Sequence, residues 1–246
     1  MRTAILICGQ LRTFFEVWEN MKKNVVDVHD CDIFIHTWTK TGYGRRANHL
    51  DIIEKEVTEK ELYELTNAKK VIVEDFKDEY QTQLLDVKIP KELIELEPIH
   101  HKNNLALFYT LYKTNELKKE YEIENNFKYD RVIKTRPDID FKVNIPKEVF
   151  NYPNHLMQWS FRINSQTQVC DKLAIGSSEI MDYYTSVFEN LNEYYLDLGI
   201  NKKTRPVGER LMFRHMTKSK YPIDSFVMDA YIKHVSFLNE NENKTL

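Results

Sequence analysis

A continuous apolar run near the start of the chain, Thr3 to Cys8, constrains the fold more than any other feature. An unbroken apolar strand has to be covered on both faces, which is the environment of a central strand in a parallel sheet. Gly9 ends this run, and Phe14 and Trp18 then begin an apolar stripe at helical spacing. A strand followed by a helix is the first half of a βαβ unit, so the chain is predicted to be an α/β protein.

The same alternation of buried strand and helix continues to residue 141. A capping box, Thr58 followed by Glu61, marks the start of one helix. The predicted strands after the first are Asp32–Trp38, Lys70–Glu74 and Tyr129–Thr135, and the later predicted helices are Thr58–Asn67 and Asn104–Asn125. This pattern predicts a doubly wound, Rossmann-like fold with a mainly parallel sheet flanked by helices.

The pattern changes beyond Phe141 to shorter apolar runs, which predict a mixed C-terminal half. The predicted strands there are His155–Phe161, Lys172–Ile175 and Ser225–Val235, and the predicted helices are Ser177–Tyr195 and Pro206–Lys218. We predict one domain over residues 1–238, with a first half at 1–141 and a second half at 142–238. The polar residues 239–246 predict a frayed tail, because they offer too little apolar surface to pack.

Composition excludes several classes of protein. The chain carries 35 Lys and Arg against 38 Asp and Glu, so it lacks the basic surface that nucleic acid binding requires. No apolar run approaches the ~18 residues of a membrane span, and the first run is too short for a signal peptide. Three widely spaced cysteines predict reduced thiols and a cytoplasmic protein, for which peripheral contact with a membrane stays open.

The residues richest in chemistry follow the predicted strand Tyr129–Thr135: Arg136, Asp138 and Asp140. In open α/β sheets, ligands bind beyond the carboxyl ends of the strands. Two carboxylates at such an end predict a site for Mn²⁺ or Mg²⁺, which would keep positions for phosphate oxygens. The alternative is a solvated turn at Pro137, since fifteen aspartates produce about one Asp-x-Asp pattern by chance.

Two arginines could bind an anion at the same edge of the sheet. Arg136 either clamps a diphosphate with two hydrogen bonds or pairs with one of the neighbouring aspartates. The segment Gly9, Gln10 and Arg12 follows the first strand and offers backbone N–H groups and a guanidinium. The alternative is that Gly9 only makes a tight turn and that Arg12 lies on the surface.

Two carboxylates in the second half are candidates for acid–base work. Asp171 precedes a short strand and faces either an acceptor hydroxyl or a structural hydrogen bond. Glu209 lies in the first turn of a predicted helix, where the helix dipole stabilises a carboxylate whatever its role, and it is also a candidate general base. The eight histidines lack the spacing of a zinc site, and His36 is interpreted as a core residue.

Three segments together resemble a known family. They are Ala4–Thr13, Cys31–Trp38 and Tyr129–Ile139, and they are similar to segments of the GT-A-type glycosyltransferases of capsule, lipopolysaccharide and large-virus glycan synthesis. The similarity extends to Asp171–Ser177 and Gly208–Leu211. One departure is that Arg136 and Pro137 stand immediately before the Asp-x-Asp, in place of its usual context.

The resemblance implies a GT-A-like fold and the transfer of a sugar from a nucleotide-sugar donor to a glycan or glycolipid acceptor. The first half would hold the donor and the second half would contact the acceptor. The implied roles are metal binding for Asp138 and Asp140, donor binding for Gly9, Gln10 and Arg12, charge neutralisation for Arg136 or Arg205, and base catalysis for Glu209, or for Asp171 in its place. A base at Glu209 implies an inverting displacement, and the lack of a close base implies a retaining one.

Two other classes of function use the same residues. A metal-dependent phosphoryl or nucleotidyl transferase would also place carboxylates at the strand end. A glycan-binding module without catalytic activity would instead use the aromatic residues, which make up 12% of the chain.

Overall fold

Seven strands form the central sheet in a computed structural model of the chain, which describes residues 1–42, 54–75, 87–96, 98–160, 167–200 and 207–233. The strands of the described part are β1 (Thr3–Cys8), β2 (Cys31–Trp38), β3 (Lys70–Glu74), β4 (Arg131–Thr135), β5 (Ile139–Phe141), β6 (Leu156–Trp159), β7 (Leu173–Gly176), β8 (Ile223–Phe226) and β9 (Ala230–Ile232). The large sheet has the order β3-β2-β1-β4-β7-β6-β8, and β5 pairs with β9 in a separate two-stranded sheet.

Helices connect these strands. In the described residues they are α1 (Phe14–Met21), α2 (Asp27–His29), α3 (Glu59–Thr66), α4 (Lys91–Leu96), α5 (Pro98–Glu124), α6 (Ser178–Thr185), α7 (Leu191–Ile200) and α8 (Gly208–Met216). A π-helical segment, Lys22–Val26, joins α1 to α2, and 3-10 segments lie at Lys147–Asn151 and Ser186–Asn190.

The pairing of the strands confirms the predicted parallel sheet. β1 is parallel to β2 and β4, and β2 is parallel to β3, so these four strands end at one edge. Ile7 pairs with Thr135 and Cys8 pairs with His36, which brings the residues after β1, β2 and β4 together.

The second half is mixed, as predicted. β7 is antiparallel to β4 and β6 is antiparallel to β7, whereas β8 is parallel to β6. The sheet is therefore continuous across the predicted border between residues 141 and 142.

Burial explains why β1 is apolar throughout. Ile5 and Ile7 pack on one face of the sheet with Phe14 and Trp18. Ala4, Leu6 and Cys8 lie on the other face, which α5 covers. Each residue of β1 is at most 1% exposed, so neither face tolerates a charged side chain.

Two helix starts follow the predicted local chemistry. Thr58 accepts a hydrogen bond from the Glu61 N–H at 3.2 Å, and Ser177 accepts one from the Ile180 N–H at 3.4 Å. Both residues act as N-caps, because their oxygens satisfy amide groups that the helix itself leaves without partners.

The predicted strand Ser225–Val235 is wrong as a single element. β8 ends at Phe226 and β9 begins at Ala230, and Val227 between them is 80% exposed. The two pieces pair with different partners, β6 and β5, so the chain has to turn between them. The predicted helix Ser177–Tyr195 is likewise interrupted by the 3-10 segment Ser186–Asn190.

No helix among the described residues is long and apolar enough to cross a membrane. The three cysteines are unpaired, with Cys8 and Cys170 buried. The predicted tail at 239–246 and the candidate Arg205 lie outside the described residues.

Candidate functional site

A cavity of about 340 Å³ opens at the carboxyl edge of the sheet, where β1 and β4 end side by side. In a doubly wound sheet with the order 3-2-1-4, this is the point at which the strand order reverses and ligands bind. Its lining residues are Cys8, Gly9, Gln10, Arg12, Trp38, Asn103, Asn104, Ala106, Leu107, Arg136, Pro137, Asp171, Val207, Gly208 and Glu209. The fold therefore brings most of the predicted site residues to one cavity.

Gly9 turns the chain away from the end of β1. Its φ of +105° lies in a region that glycine adopts without strain. Its N–H donates to the His36 carbonyl at 3.2 Å, and its own carbonyl accepts a hydrogen bond from Thr37 Oγ1 at 2.8 Å. A Cβ at this position would meet no atom within 4 Å, so the glycine is required by the backbone angle and not by crowding.

Arg12 also has a left-handed backbone, with φ of +47°, which costs a residue other than glycine about 1 kcal/mol. Its N–H donates to the Thr41 carbonyl at 2.7 Å, and Nη1 of its side chain donates to Asp138 Oδ2 at 3.0 Å. The alternative that Arg12 is a surface residue is wrong. Its side chain lines the cavity, donates to a buried carboxylate and is only 30% exposed.

The backbone N–H groups predicted for anion binding are partly used within the protein. Those of Gly9 and Arg12 donate to the carbonyls of His36 and Thr41. Of the groups predicted to bind an anion at the end of β1, the Arg12 side chain lines the cavity.

Asp138 lies behind the arginines and does not line the cavity. Arg136 donates to it from Nε to Oδ1 at 2.8 Å and from Nη2 to Oδ2 at 2.6 Å. Burial opposes ionisation, but Arg136 and Arg12 outweigh it, so the pKa of the Asp138 carboxyl is below its ordinary value. The carboxylate is 1% exposed and accepts three hydrogen bonds from two cations.

Asp140 lies on β5 and has a separate set of partners. Asn20 Nδ2 donates to its Oδ1 at 2.8 Å, and Lys142 Nζ donates to its Oδ2 at 2.9 Å. Burial acts against ionisation, but the hydrogen bonds from Lys142, Tyr231 and Asn20 lower the pKa of the Asp140 carboxyl. Asp140 does not line the cavity and shares no hydrogen-bond donor with Asp138.

A divalent cation does not fit these two carboxylates as they are arranged. Both carboxylates are already paired with cationic side chains, Asp138 with Arg12 and Arg136 and Asp140 with Lys142, and these charges would repel a divalent ion. Among the described residues, no group of three or more His, Cys, Asp or Glu side chains could hold a metal ion. Metal binding by Asp138 and Asp140 stays a prediction, and no step of the proposed reaction depends on it.

One wall of the cavity contains the two candidate bases, Asp171 and Glu209, which one lysine joins. Lys172 Nζ lies 3.1 Å from Asp171 Oδ1 and donates to Glu209 Oε1 at 2.6 Å. Burial disfavours the Asp171 carboxylate, but Lys172, Lys134 and Arg136 outweigh this effect and lower the pKa of the Asp171 carboxyl.

The backbone of Gly208, at the start of α8, lies close to the Asp171 side chain. A Cβ on Gly208 would lie 3.2 Å from Asp171 Oδ2, so a larger residue at this position would crowd the carboxylate. Glu209 follows directly in the first turn of α8, whose N-cap is Val207. The side chain of Glu209 reaches Lys172, so the helix start is not its only contact.

Sequence reasoning missed the two lysines of this wall. Lys134 is fully buried in β4 and donates from Nζ to the Asp171 carbonyl, while Lys172 joins the carboxylates. A lysine inside an apolar strand was a signal for Lys134. The role of Lys172 had no signal, because Glu209 lies 37 residues away in the chain.

Two of the described histidines, His36 and His215, belong to the core. His36 is fully buried, and its Nε2 lies 3.5 Å from Glu74 Oε1. His215 is buried, with Nδ1 2.8 Å from the Tyr194 hydroxyl and Nε2 2.6 Å from the Tyr183 carbonyl oxygen. Neither lines the cavity.

No protein-family model matches this chain, and no curated protein sequence matches it.

Proposed function

We propose that this protein is a GT-A-like glycosyltransferase that moves a sugar from a nucleotide-sugar donor to a hydroxyl group of a glycan or glycolipid acceptor. The observation that carries the proposal is one cavity whose lining includes two guanidinium groups, those of Arg12 and Arg136, and two carboxylates, those of Asp171 and Glu209. Sugar transfer needs both, because a diphosphate leaves with negative charge and an acceptor hydroxyl must lose its proton.

The position and size of the cavity support this function. It opens at the switch point of a parallel sheet, where α/β proteins commonly bind nucleotides. Its volume of about 340 Å³ lies within the range of small-molecule sites, at the lower end. Gly9, Gln10 and Arg12 at the end of β1 would contact the donor, together with Arg136 at the end of the neighbouring strand β4.

The proposed reaction is a single displacement at the anomeric carbon of the donor sugar. The acceptor oxygen forms the new C–O bond, while the bond from the anomeric carbon to the diphosphate oxygen breaks. The electron pair of the broken bond leaves with the diphosphate, whose charge the guanidinium groups of Arg12 and Arg136 stabilise. The proton of the acceptor hydroxyl passes to a carboxylate, and displacement from the opposite side inverts the anomeric centre.

Glu209 is the favoured base. Its side chain is 25% exposed, whereas that of Asp171 is 12% exposed, so an incoming hydroxyl reaches Glu209 more easily. The cations around Asp171 also hold its pKa below the ordinary value, which makes it a weaker proton acceptor. Asp171 instead helps to orient Lys172, which holds Glu209 in place.

The test is thermal denaturation with a panel of nucleotide-sugars, nucleoside triphosphates and free glycans. A ligand at about one hundred times its Kd stabilises the folded state by about 2.7 kcal/mol, which raises the Tm by several degrees. We expect one nucleotide-sugar to raise the Tm and to be hydrolysed slowly to sugar and nucleoside diphosphate. Stabilisation by triphosphates alone would support phosphoryl or nucleotidyl transfer, and stabilisation by glycans alone would support a binding module.

A further inference from the structure

Two guanidinium groups in the cavity share one oxygen atom. Arg12 Nη1 and Arg136 Nη2 both donate to Asp138 Oδ2, at 3.0 and 2.6 Å. Two cations that bind the same atom repel each other at short range. Arg12 and Arg136 carry two positive charges and Asp138 one negative charge, so these three side chains together carry one net positive charge, while Asp171 and Glu209 also lie near Arg136.

We propose that Arg12 and Arg136, held side by side by Asp138, bind the diphosphate of the donor directly and without a divalent cation. This inference rests on the proposed function, since it assigns the donor's charged group to one wall of the same cavity. In it, Asp138 is the counter-ion of the pair and not a metal ligand.

The two side chains keep donors for a ligand. A guanidinium has five N–H donors, of which Arg136 uses Nε and Nη2, and Arg12 uses Nη1, on Asp138. Nε of Arg12 is buried without a hydrogen-bond partner among the described residues. Both arginines line the cavity, so a phosphate group bound there would lie beside two guanidinium groups that have not used all their N–H donors on Asp138.

Backbone strain at Arg12 points to the same role. A left-handed residue other than glycine persists only when its surroundings hold it, and such residues cluster at functional sites. The hydrogen bond from the Arg12 N–H to the Thr41 carbonyl holds this conformation. It brings the guanidinium to a carboxylate 126 residues away in the chain.

Electrostatics oppose a divalent cation at the same place. A metal ion on Asp138 would lie at short range from both guanidiniums that bind this carboxylate. Asp140 already pairs with the Lys142 ammonium, which would also repel the ion. An anion meets none of these obstacles, because it adds opposite charge to the pair.

The experiment is a calorimetric titration of the whole chain with inorganic pyrophosphate, first in EDTA and then with Mn²⁺ in place of EDTA. We expect binding in EDTA, with Mn²⁺ changing the affinity of the protein less than about threefold. Arg12→Ala should weaken binding about 10-fold to 100-fold, as expected for a lost charge-assisted hydrogen bond. Arg136→Lys keeps the charge but loses the fork that binds with two parallel hydrogen bonds, and should also weaken binding.

The matched control is Arg214→Ala. Arg214 pairs with Asp197 and does not line the cavity, so its loss should leave the affinity for pyrophosphate unchanged. Equal weakening by Arg12→Ala and Arg214→Ala would show general loss of positive charge and would overturn the inference.

Asp138→Asn separates a counter-ion from a metal ligand. Without the carboxylate, the two guanidiniums repel each other and the Tm should fall. Pyrophosphate in EDTA should then raise the Tm of this variant more than that of the wild type, because it replaces the missing negative charge. A metal ligand would show no such compensation.

The outcomes distinguish the inference from the function on which it rests. Pyrophosphate and nucleotide-sugar binding that requires Mn²⁺, and that Asp138→Asn abolishes, would overturn the inference and leave the glycosyltransferase proposal intact. If no nucleotide-sugar binds with or without Mn²⁺, both fail. Binding in EDTA that is lost in Arg12→Ala supports both.

Discussion

Lys172 donates a hydrogen bond of 2.6 Å to Glu209, although the two residues lie 37 positions apart in the chain. The same ammonium lies 3.1 Å from Asp171, so one cation pairs with both candidate bases. Without it, two carboxylates would face each other in a largely buried wall, where like charges repel strongly.

Glu209→Gln should bind the donor normally and transfer its sugar slowly. The amide keeps the size of the side chain but cannot accept the acceptor's proton, and loss of a general base lowers turnover about 10²-fold to 10⁴-fold. Calorimetry with the donor and a rate assay with the acceptor would separate the two effects. Glu193→Gln is the control, because Glu193 is exposed and pairs with Lys218 away from the cavity. Wild-type turnover in Glu209→Gln would move the base role elsewhere.

Lys172→Met should destabilise the protein in a pH-dependent way. In the wild type the pKa of Asp171 is lowered, so its contribution to stability is present above the ordinary pKa of about 3.9 and is lost as the pH falls through the folded-state pKa. The methionine removes the first of the cations that lower it. The difference in unfolding free energy between the two proteins should therefore be largest near pH 7 and shrink below about pH 4. Urea denaturation across this range measures it, and a difference that does not depend on pH would contradict the assignment.

His215 should make the protein sensitive to mild acid. Burial lowers the pKa of His215 to about 4, with the hydrogen bond to the Tyr183 carbonyl opposing the shift and Lys218 adding to it. The neutral ring therefore contributes stability that is complete above about pH 6.5 and is lost as the pH falls toward 4, by about 3 kcal/mol in all. His215→Gln should reduce this slope in the unfolding free energy, measured by urea denaturation. An unchanged slope would show that other groups cause it.

Two glycines beside the cavity should respond differently to alanine. Both have a positive φ, +105° at Gly9 and +67° at Gly42, so each substitution carries a backbone cost of about 1 to 2 kcal/mol. A Cβ at Gly9 meets nothing within 4 Å, whereas one at Gly42 would lie 2.5 Å from the Gln10 side chain. Gly42→Ala should therefore displace the end of the Gln10 side chain in addition to its backbone cost, whereas Gly9→Ala should carry the backbone cost alone. Thermal denaturation measures both costs, and calorimetry with the donor should detect the displaced Gln10 only in Gly42→Ala; equal donor affinities in the two variants would contradict the displacement.

The strands that could be predicted from the sequence are those whose environment dictates their composition. Thr3–Cys8 and Lys70–Glu74 are observed with the predicted bounds, and β2 and β4 begin within two residues of prediction. β1 is buried on both faces and apolar along its whole length, and β3 has a Val-Ile-Val run, so the pattern is local in both strands. The break between β8 and β9 was missed because short, half-exposed strands lack that signal.

The sequence by itself determined which residues would stand at the carboxyl ends of the parallel strands, and hence that Gly9, Arg12 and Arg136 would meet. Only the tertiary structure decided what each charge would contact. Asp138 faces two arginines where the sequence predicted a metal ion, and Lys172 joins Asp171 to Glu209. The physical reason is that strand ends are specified by local hydrophobicity, whereas a buried ion pair depends on strand order and side-chain direction, which are set by contacts far apart in the chain.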